Sequence, residues 1–364
     1  MVITTLPATP DEPVTECFFY PGSMEVLTSL PGFPQPLTHP TSPTFRVDAI
    51  PGKGMGLVST RALKAGDLIL SERPLLIIVR GMPVLRPYGF TEEQYIQYSF
   101  EHLATCVQVC LNRMRPEARA AYMALANSHP KDTCGPIMGI LRTNGLCLDG
   151  LRPGVENEWK SYSAVCKDIS RLNHSCSPNT QPRFDMVSLS YQLFAVRDIA
   201  AGEELTYQYT DAARSAAARK AGLKPYDFVC SCVACKAGPA SNARRAAIAA
   251  FRASGQAWIL DRTLPDDWFP SKCREQLALI AREGLEHHPQ YFATTRGMME
   301  AYICLGDAQR ASAWAAKLDK ILWEETRVDV KALLDPMSAQ AAYEAHPLWR
   351  IRVDEVRAGK MFST

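Results

Sequence analysis

Within six residues, Cys230-Ser231-Cys232-Val233-Ala234-Cys235, the chain offers three thiols. Three thiolates are one short of the tetrahedral set that closes a structural zinc site. The fourth ligand must come from a distant part of the chain, and Cys176 in Asn173-His174-Ser175-Cys176 is the natural candidate. Such a closure would pull two remote segments together and restrict every fold the chain could adopt. Disulfides are the alternative, but they persist only in an oxidising compartment. The N-terminus carries Asp11 and Glu12, lacks a basic segment followed by an apolar run, and predicts no secretory signal. The longest aliphatic run, Leu75 to Val79, falls far short of the roughly 20 residues of a membrane helix. A reducing, intracellular location is therefore expected, in the nucleus, the cytoplasm or both.

The 364 residues, 47% hydrophobic and 21% charged, suit two or three globular domains. Forty basic and 38 acidic residues leave a formal charge of +2. That excludes a chain-wide cationic surface for duplex nucleic acid, and no direct nucleic-acid binding is expected. Residues 1–44 hold nine of the 26 prolines and predict an extended, mostly irregular arm. Short apolar runs between glycine turns predict hairpins over 45–80. Residues 81–140 turn helical, with Thr91 as N-cap and an alanine-rich stretch from Arg119 to Ala126. Residues 141–211 return to strands, including the alternating Val187-Leu189-Tyr191-Leu193. A short helix over 212–221 leads into the cysteine segment, which ends at 238. Residues 239–364 are alanine-rich and helical almost to the end. Met298 to Ile321 looks like one tetratricopeptide-type hairpin about Gly306-Asp307, with Ala308, Ala311 and Ala315 as packing positions; an ordinary antiparallel pair fits equally.

Taken singly, the polar motifs are ambiguous. Gly52-Lys53-Gly54-Met55-Gly56-Leu57 lets backbone approach a ligand, or simply makes a tight hairpin. A lone Asn173-His174 reads first as a hydrogen-bonded turn. Glu203-Glu204 reads as a turn and strand start, and Tyr207 and Tyr209 as strand residues. His287 and His288 read as solvated loop residues, while His102 and His129 have no ligand partner at suitable spacing. Cys106 and Cys110 read as helix packing, and Cys134, Cys147 and Cys166 as core.

Together, in order and spacing, the segments resemble the SET-domain protein lysine methyltransferases. Gly54-Met55-Gly56-Leu57 matches the family's Gly-x-Gly-Leu, and Asn173-His174-Ser175-Cys176-Ser177-Pro178-Asn179 its Asn-His-Ser-Cys-x-Pro-Asn. Gly202-Glu203-Glu204-Leu205-Thr206 with Tyr209 matches the Gly-Glu-Glu-Leu-Thr run, and Cys230, Cys232 and Cys235 the post-SET cysteines. The resemblance covers roughly residues 45–237 and is greatest to the SET-and-MYND branch and its fungal relatives. One departure is clear: residues 81–140 hold only Cys106, Cys110 and Cys134, so the MYND finger is absent and a helical insert stands there.

The resemblance implies an α+β fold: small twisted sheets threaded by a pseudoknot, a helical insert, a zinc-bound post-SET segment and a C-terminal helical domain. It implies S-adenosyl-L-methionine as methyl donor, with Lys53, Gly54, Met55, Gly56, Asn144, Asn173, His174, Tyr209 and Phe228 along it. Tyr209 matches the catalytic tyrosine, Tyr226 and Phe228 the aromatics that close the lysine channel, and Tyr207 the position that limits methylation number. A tyrosine there implies mainly monomethylation. One structural zinc ion on Cys176, Cys230, Cys232 and Cys235 is implied, and a protein substrate, histone or not, acted on by a monomer. The competing expectation is a weak or inactive SET protein that docks partners through its helical tail.

Overall fold

The computed structural model describes residues 1–8, 12–130, 135–156, 160–321 and 330–354. Its strands, in chain order, are β1 (Val2–Leu6), β2 (Thr15–Phe19), β3 (Phe45–Ile50), β4 (Gly54–Ser59), β5 (Leu68–Glu72), β6 (Leu76–Val79), β7 (Leu146–Leu148), β8 (Tyr162–Val165), β9 (Asn173–His174), β10 (Thr180–Asp185), β11 (Ser190–Ala195) and β12 (Glu204–Tyr207). They form three small sheets, ordered β1-β2-β6-β8-β7, β10-β11-β5 and β3-β4-β12-β9.

An unbroken apolar strand needs cover on both faces, and β6 (Leu-Ile-Ile-Val) is fully buried along its length. It runs parallel to β2 (Glu16 opposite Leu76) and antiparallel to β8 (Leu76 opposite Val165). This corrects the expectation for residues 1–44. The first half of the segment is built into a sheet, since every residue of β2 is buried and β1 pairs with it from Val2–Phe19 to Leu6–Thr15, whereas residues 29–44 carry no helix or strand, as expected. A short helix, α1 (Ser23–Thr28), follows. The prolines punctuate these elements without occupying them, and proline between strands does not oppose pairing.

The insert expected to be helical contains α2 (Glu92–Arg113), α3 (Pro116–Met123) and α4 (Gly135–Asn144). Thr91 Oγ1 accepts from Gln94 N and Gln94 Oε1 from Thr91 N, a reciprocal pair that satisfies two otherwise orphaned donors. The strand expected from Val187 begins at Ser190, because Leu189 turns the chain with φ 51°. The helix expected at 212–221 is α5 (Ala216–Leu223), started by the Ser215 side chain. Then come α6 (Val233–Lys236), α7 (Pro239–Ala249), α8 (Gly255–Leu260), α9 (Trp268–Glu283), α10 (Pro289–Cys304), α11 (Ala308–Asp319), α12 (Lys331–Leu334) and α13 (Ala339–Ala345). Helices α10 and α11 form the expected hairpin: Asp307 caps α11, and Ala311 and Ala315 are fully buried.

One hydrophobic core lies among the sheets and α2–α4, and a second among α8–α13. Between them, a small apolar cluster of Ala212, Ile248, Ile280 and Leu285 adjoins a buried polar network. Arg245, 2% exposed, donates to Glu283 Oε2 at 2.9 Å and to the Cys176 carbonyl at 2.9 Å. Glu283 also accepts from Arg244 and Ser241, each at 2.5 Å, so the buried charges are paired and hydrogen-bonded. The Ser177 hydroxyl donates to the Glu283 carbonyl at 2.6 Å. Gly284 follows with φ +62°, where a Cβ would lie 2.8 Å from Ser177 Cβ, so only glycine admits this approach.

Two further expectations are corrected here. His287 is buried, its Nε2 donating to Gln208 Oε1 at 3.0 Å, and His288 Nδ1 accepts from Gln290 N to cap α10. Cys147 is exposed, since β7 alternates and sends Leu146 and Leu148 inward. Cys166 is buried, Cys110 is buried beside a half-buried Cys106, and Cys134 lies outside the described residues.

Candidate active site

The glycine hairpin, the Asn-His-Ser-Cys segment and the Glu-Glu-Leu-Thr strand meet in the third sheet. Gly52 and Gly54 take positive φ at the tip of the β3–β4 hairpin, placing Lys53 at its turn. Strand β4 pairs antiparallel with β12 (Leu57 opposite Leu205), and β12 pairs parallel with β9 (Thr206 opposite Asn173, Tyr207 opposite His174). Gly56 lies where these strands crowd: a Cβ there would meet Asn173 Nδ2 at 2.8 Å and Ile50 Cγ1 at 2.6 Å. Asn179 locks the same strand, donating to the Glu204 carbonyl and accepting from Thr206 N, each at 2.8 Å.

Glu204 is the hub that the sequence reading missed. Its carboxylate takes Lys53 Nζ at 2.5 Å and Asn173 Nδ2 at 3.0 Å, so all three motif segments converge on one side chain. Asn173 Nδ2 also lies 3.5 Å from the Met55 carbonyl. The adjacent Glu203 takes a supporting part, accepting from Asn179, Arg197 and the Ala200 backbone.

His174 is buried and its ring is committed at both nitrogens. Nδ1 accepts from Tyr209 N at 3.0 Å, and Nε2 faces Cys176 Sγ at 3.2 Å. Burial holds its pKa down at about 4, so the ring is neutral at physiological pH with its hydrogen on Nε2. Asn144 ends α4, with its amide hydrogens donated to the carbonyls of Ala126 and Ile140 at 2.7 and 2.8 Å.

Four aromatic rings surround Tyr209. Tyr226 stands 4.6 Å away between centroids, Tyr207 5.1 Å, His174 5.4 Å and Phe228 6.3 Å, the last edge-on. Burial pushes the Tyr209 and Tyr207 phenols well above the ordinary range, and neighbouring phenols add to this. Tyr226 is raised by burial as well. The Tyr209 hydroxyl donates to the Leu172 carbonyl at 2.7 Å. That carbonyl ends a 3₁₀ turn (Ile169–Arg171) whose leading N–H groups, Asp168 and Ile169, donate to Glu72. Glu72, from β5, is raised to about 7 by burial. No motif flagged it.

Cys176, Cys230, Cys232 and Cys235 present their sulfurs within 4.8 Å of one another. Cys176 Sγ is 4.0 Å from Cys230 Sγ and 3.7 Å from Cys235 Sγ, and all four are free thiols. Zn–S bonds of about 2.3 Å in a tetrahedron separate sulfurs by about 3.8 Å, so the donor set fits one structural zinc ion with no open position. Hydrogen bonds from the Cys176 and Cys230 thiols pull Cys232 down toward the thiolate that a metal requires.

Residues 54–210 match the SET domain family. The chain is 29% identical to Histone-lysine N-methyltransferase set5 of Schizosaccharomyces pombe, over 76% of this chain and 77% of that one. Shorter similarities reach Histone-lysine N-methyltransferase SET5 of Meyerozyma guilliermondii, 40% identical over 23% of this chain and 18% of that one. Histone-lysine N-methyltransferase SMYD3 of Homo sapiens is 45% identical over 19% of this chain and 16% of that one.

Proposed function

We propose that this SET-domain chain is an S-adenosylmethionine-dependent protein lysine N-methyltransferase whose lysine channel is the aromatic cluster around Tyr209. The observation that carries the reading is the Tyr209 hydroxyl. Its hydrogen goes to the Leu172 carbonyl, which leaves oxygen lone pairs to accept an N–H from an incoming amine. Tyr207, Tyr226 and Phe228 wall that position.

S-adenosylmethionine, when bound, supplies a methyl carbon on a positive sulfur, which an amine lone pair takes as the C–S bond breaks. Lys53, Gly54, Met55 and Gly56, with Asn173 and Glu204, would hold it. An amino acid's carboxylate and ammonium find their opposite charges in Lys53 and Glu204, which form an ion pair at 2.5 Å. His174, its ring committed, would contribute through its backbone, Asn144 through Oδ1, and Phe228 through its ring.

The protein's own groups act by exclusion and positioning. The aromatic walls desolvate the lysine, which favours its neutral form, and their π faces attract the methylammonium product. Tyr209 orients the amine as a neutral phenol, so the gain is chiefly one of geometry. The surplus proton leaves with the product nitrogen to water.

The pH profile should show this. Tyr209 and Tyr226, both raised, stay protonated, and His174, held at about 4, stays neutral between pH 6 and 9. kcat/KM is therefore expected to rise with pH as the substrate lysine loses its proton, without a falling limb below pH about 10. Glu72 takes up a proton below about 7 and releases the 3₁₀ turn, so the acid limb steepens there and Glu72→Gln removes the extra slope. A falling limb at pH 8–9 would contradict the assignment.

Tyr207 supports a reading of product number. Its phenol adjoins Tyr209 and crowds a second methyl, so wild-type product should be mainly monomethyllysine. Tyr207→Phe is expected to raise the dimethyl share about tenfold, the scale of one methyl group's fit in a pocket. Mass spectrometry of a modified substrate reads this, and dominant di- or trimethyllysine from the wild type would overturn it.

Histone lysines are the first substrates to test, since the relatives are named for them; a non-histone protein is the alternative. A nuclear site of action goes with the first choice and a cytoplasmic one with the second. Among the described residues no helix is long and apolar enough to cross a membrane. Calorimetric titration with S-adenosylhomocysteine, alongside zinc analysis, tests the whole reading. Binding at one site per chain, followed by transfer of labelled methyl to histones, is expected. A folded, zinc-loaded protein that binds nothing would instead be a docking module.

A further inference from the structure

Arg219, on α5, is 1% exposed. Its Nη1 donates to the Arg214 carbonyl at 2.6 Å, its Nη2 points at Cys235 Sγ at 3.9 Å, and its Nε is buried without a partner. Among the described residues it makes no ion pair with any carboxylate. The neighbouring buried Arg245 differs in this respect, because Glu283 answers its charge. A buried guanidinium without an anion is strongly unfavourable, so the fold must supply negative charge beside Arg219. Four neutral thiols would not do so. Four thiolates around a divalent ion carry a net charge of −2, and they lie where Nη2 points.

We propose that Arg219 is a positioning residue for the four-cysteine centre: its guanidinium offsets one unit of thiolate charge, fixes the Cys235 sulfur and sets how tightly zinc is kept. The inference rests on the zinc reading above. Helix α5 is itself anchored for the task, its first turn held by the Ser215 side chain and by Asn242 Oδ1, which accepts from Ala216 N at 2.9 Å. N–H groups directed at ligand sulfurs are the usual means by which a protein tunes such a centre. His174 Nε2 supplies one at Cys176, and Arg219 supplies the charged one at Cys235.

The test uses the full chain purified with zinc. Wild type, Arg219→Met and Arg219→Lys are titrated with a colorimetric zinc chelator, and thermal midpoints are taken with zinc bound and stripped. Arg219→Met is expected to weaken zinc binding about 10- to 100-fold, and Arg219→Lys, which keeps the charge, by no more than about threefold. Arg219→Met should lower the midpoint of the loaded protein while leaving the stripped midpoint unchanged or higher, since stripping removes most of the thiolate charge that answers the wild-type arginine. Equal losses in both states would show packing alone and overturn the proposal, as would wild-type zinc affinity in Arg219→Met. If Arg219→Met does not fold, Arg219→Lys decides, and a loss of 10-fold or more in its zinc affinity overturns the charge argument. A wild type that binds no zinc overturns the metal reading and this proposal together.

Discussion

Cys232→Ser is expected to remove zinc from the protein, lower the thermal midpoint and reduce methyl transfer by on the order of 10²-fold or more. Structural zinc sites contribute about 10–16 kcal/mol of apparent binding free energy, and a serine hydroxyl does not replace a thiolate ligand. The segment around the site has little else to hold it. Helix α6 is only four residues long, Val229 and Val233 are exposed, and Phe228 is itself 40% exposed. Yet this segment carries Tyr226 and Phe228 to the Tyr209 ring. Loosening it opens the aromatic wall to water and removes the faces that favour a neutral amine. The two large hydrophobic cores and the small cluster between them are built from other residues, so far-UV circular dichroism should change little. Zinc removal by a chelator should give the same loss, reversed by adding zinc. With four thiolates and no open position, the ion offers no Lewis-acid role, so the effect works through structure. Unchanged metal content and turnover in Cys232→Ser would rule this out.

The second large effect is at Tyr209. Tyr209→Phe is expected to lower kcat roughly 10²–10³-fold, the cost of one well-placed polar group at a reacting centre, with S-adenosylhomocysteine affinity kept within about threefold. The ring remains, so its contacts with Tyr226 and Phe228 persist; what disappears is the oxygen. Two consequences follow from that one atom. The amine loses the acceptor that aims its lone pair, and the Leu172 carbonyl loses its 2.7 Å donor. Single-turnover transfer separates the chemical step from cofactor binding, and a kcat within tenfold of wild type would remove Tyr209 from the mechanism.

Much of this site can be read from residue types and spacing. The three cysteines within six residues demand a fourth partner, and the structure brings Cys176 to them. The glycine hairpin, the Asn-His pair and the strand of Tyr207 are adjacent, as the resemblance implies. The N-terminal strands are not legible, because β2 is defined by a parallel neighbour far along the chain and the prolines on either side mask a five-residue run. Glu204 was legible only as a strand start: its role depends on Lys53 and Asn173 arriving from two other strands. The buried state of His287 is likewise set by Gln208, and nothing beside it in sequence announces that contact. Cys147 is a different case. The Leu-Cys-Leu alternation that turns it outward was present in the sequence, too short to weigh against the general tendency of cysteine to be buried.

The sheet pairings also fix a timetable for the newborn chain. Residues emerge at about 5–20 per second, so β2 waits roughly 3–12 s for β6. The β3–β4 hairpin can close at once, but its partner β12 arrives roughly 7–29 s after β4. Until then the hairpin is a free two-stranded ribbon, the kind of open edge on which chains aggregate. Its outer strand carries the exposed Arg46–Asp48 pair, and Lys53 caps the turn, so charge guards the ribbon while it waits. On arrival of β12, Lys53 takes Glu204 as its partner, and the open edge of β4 is closed.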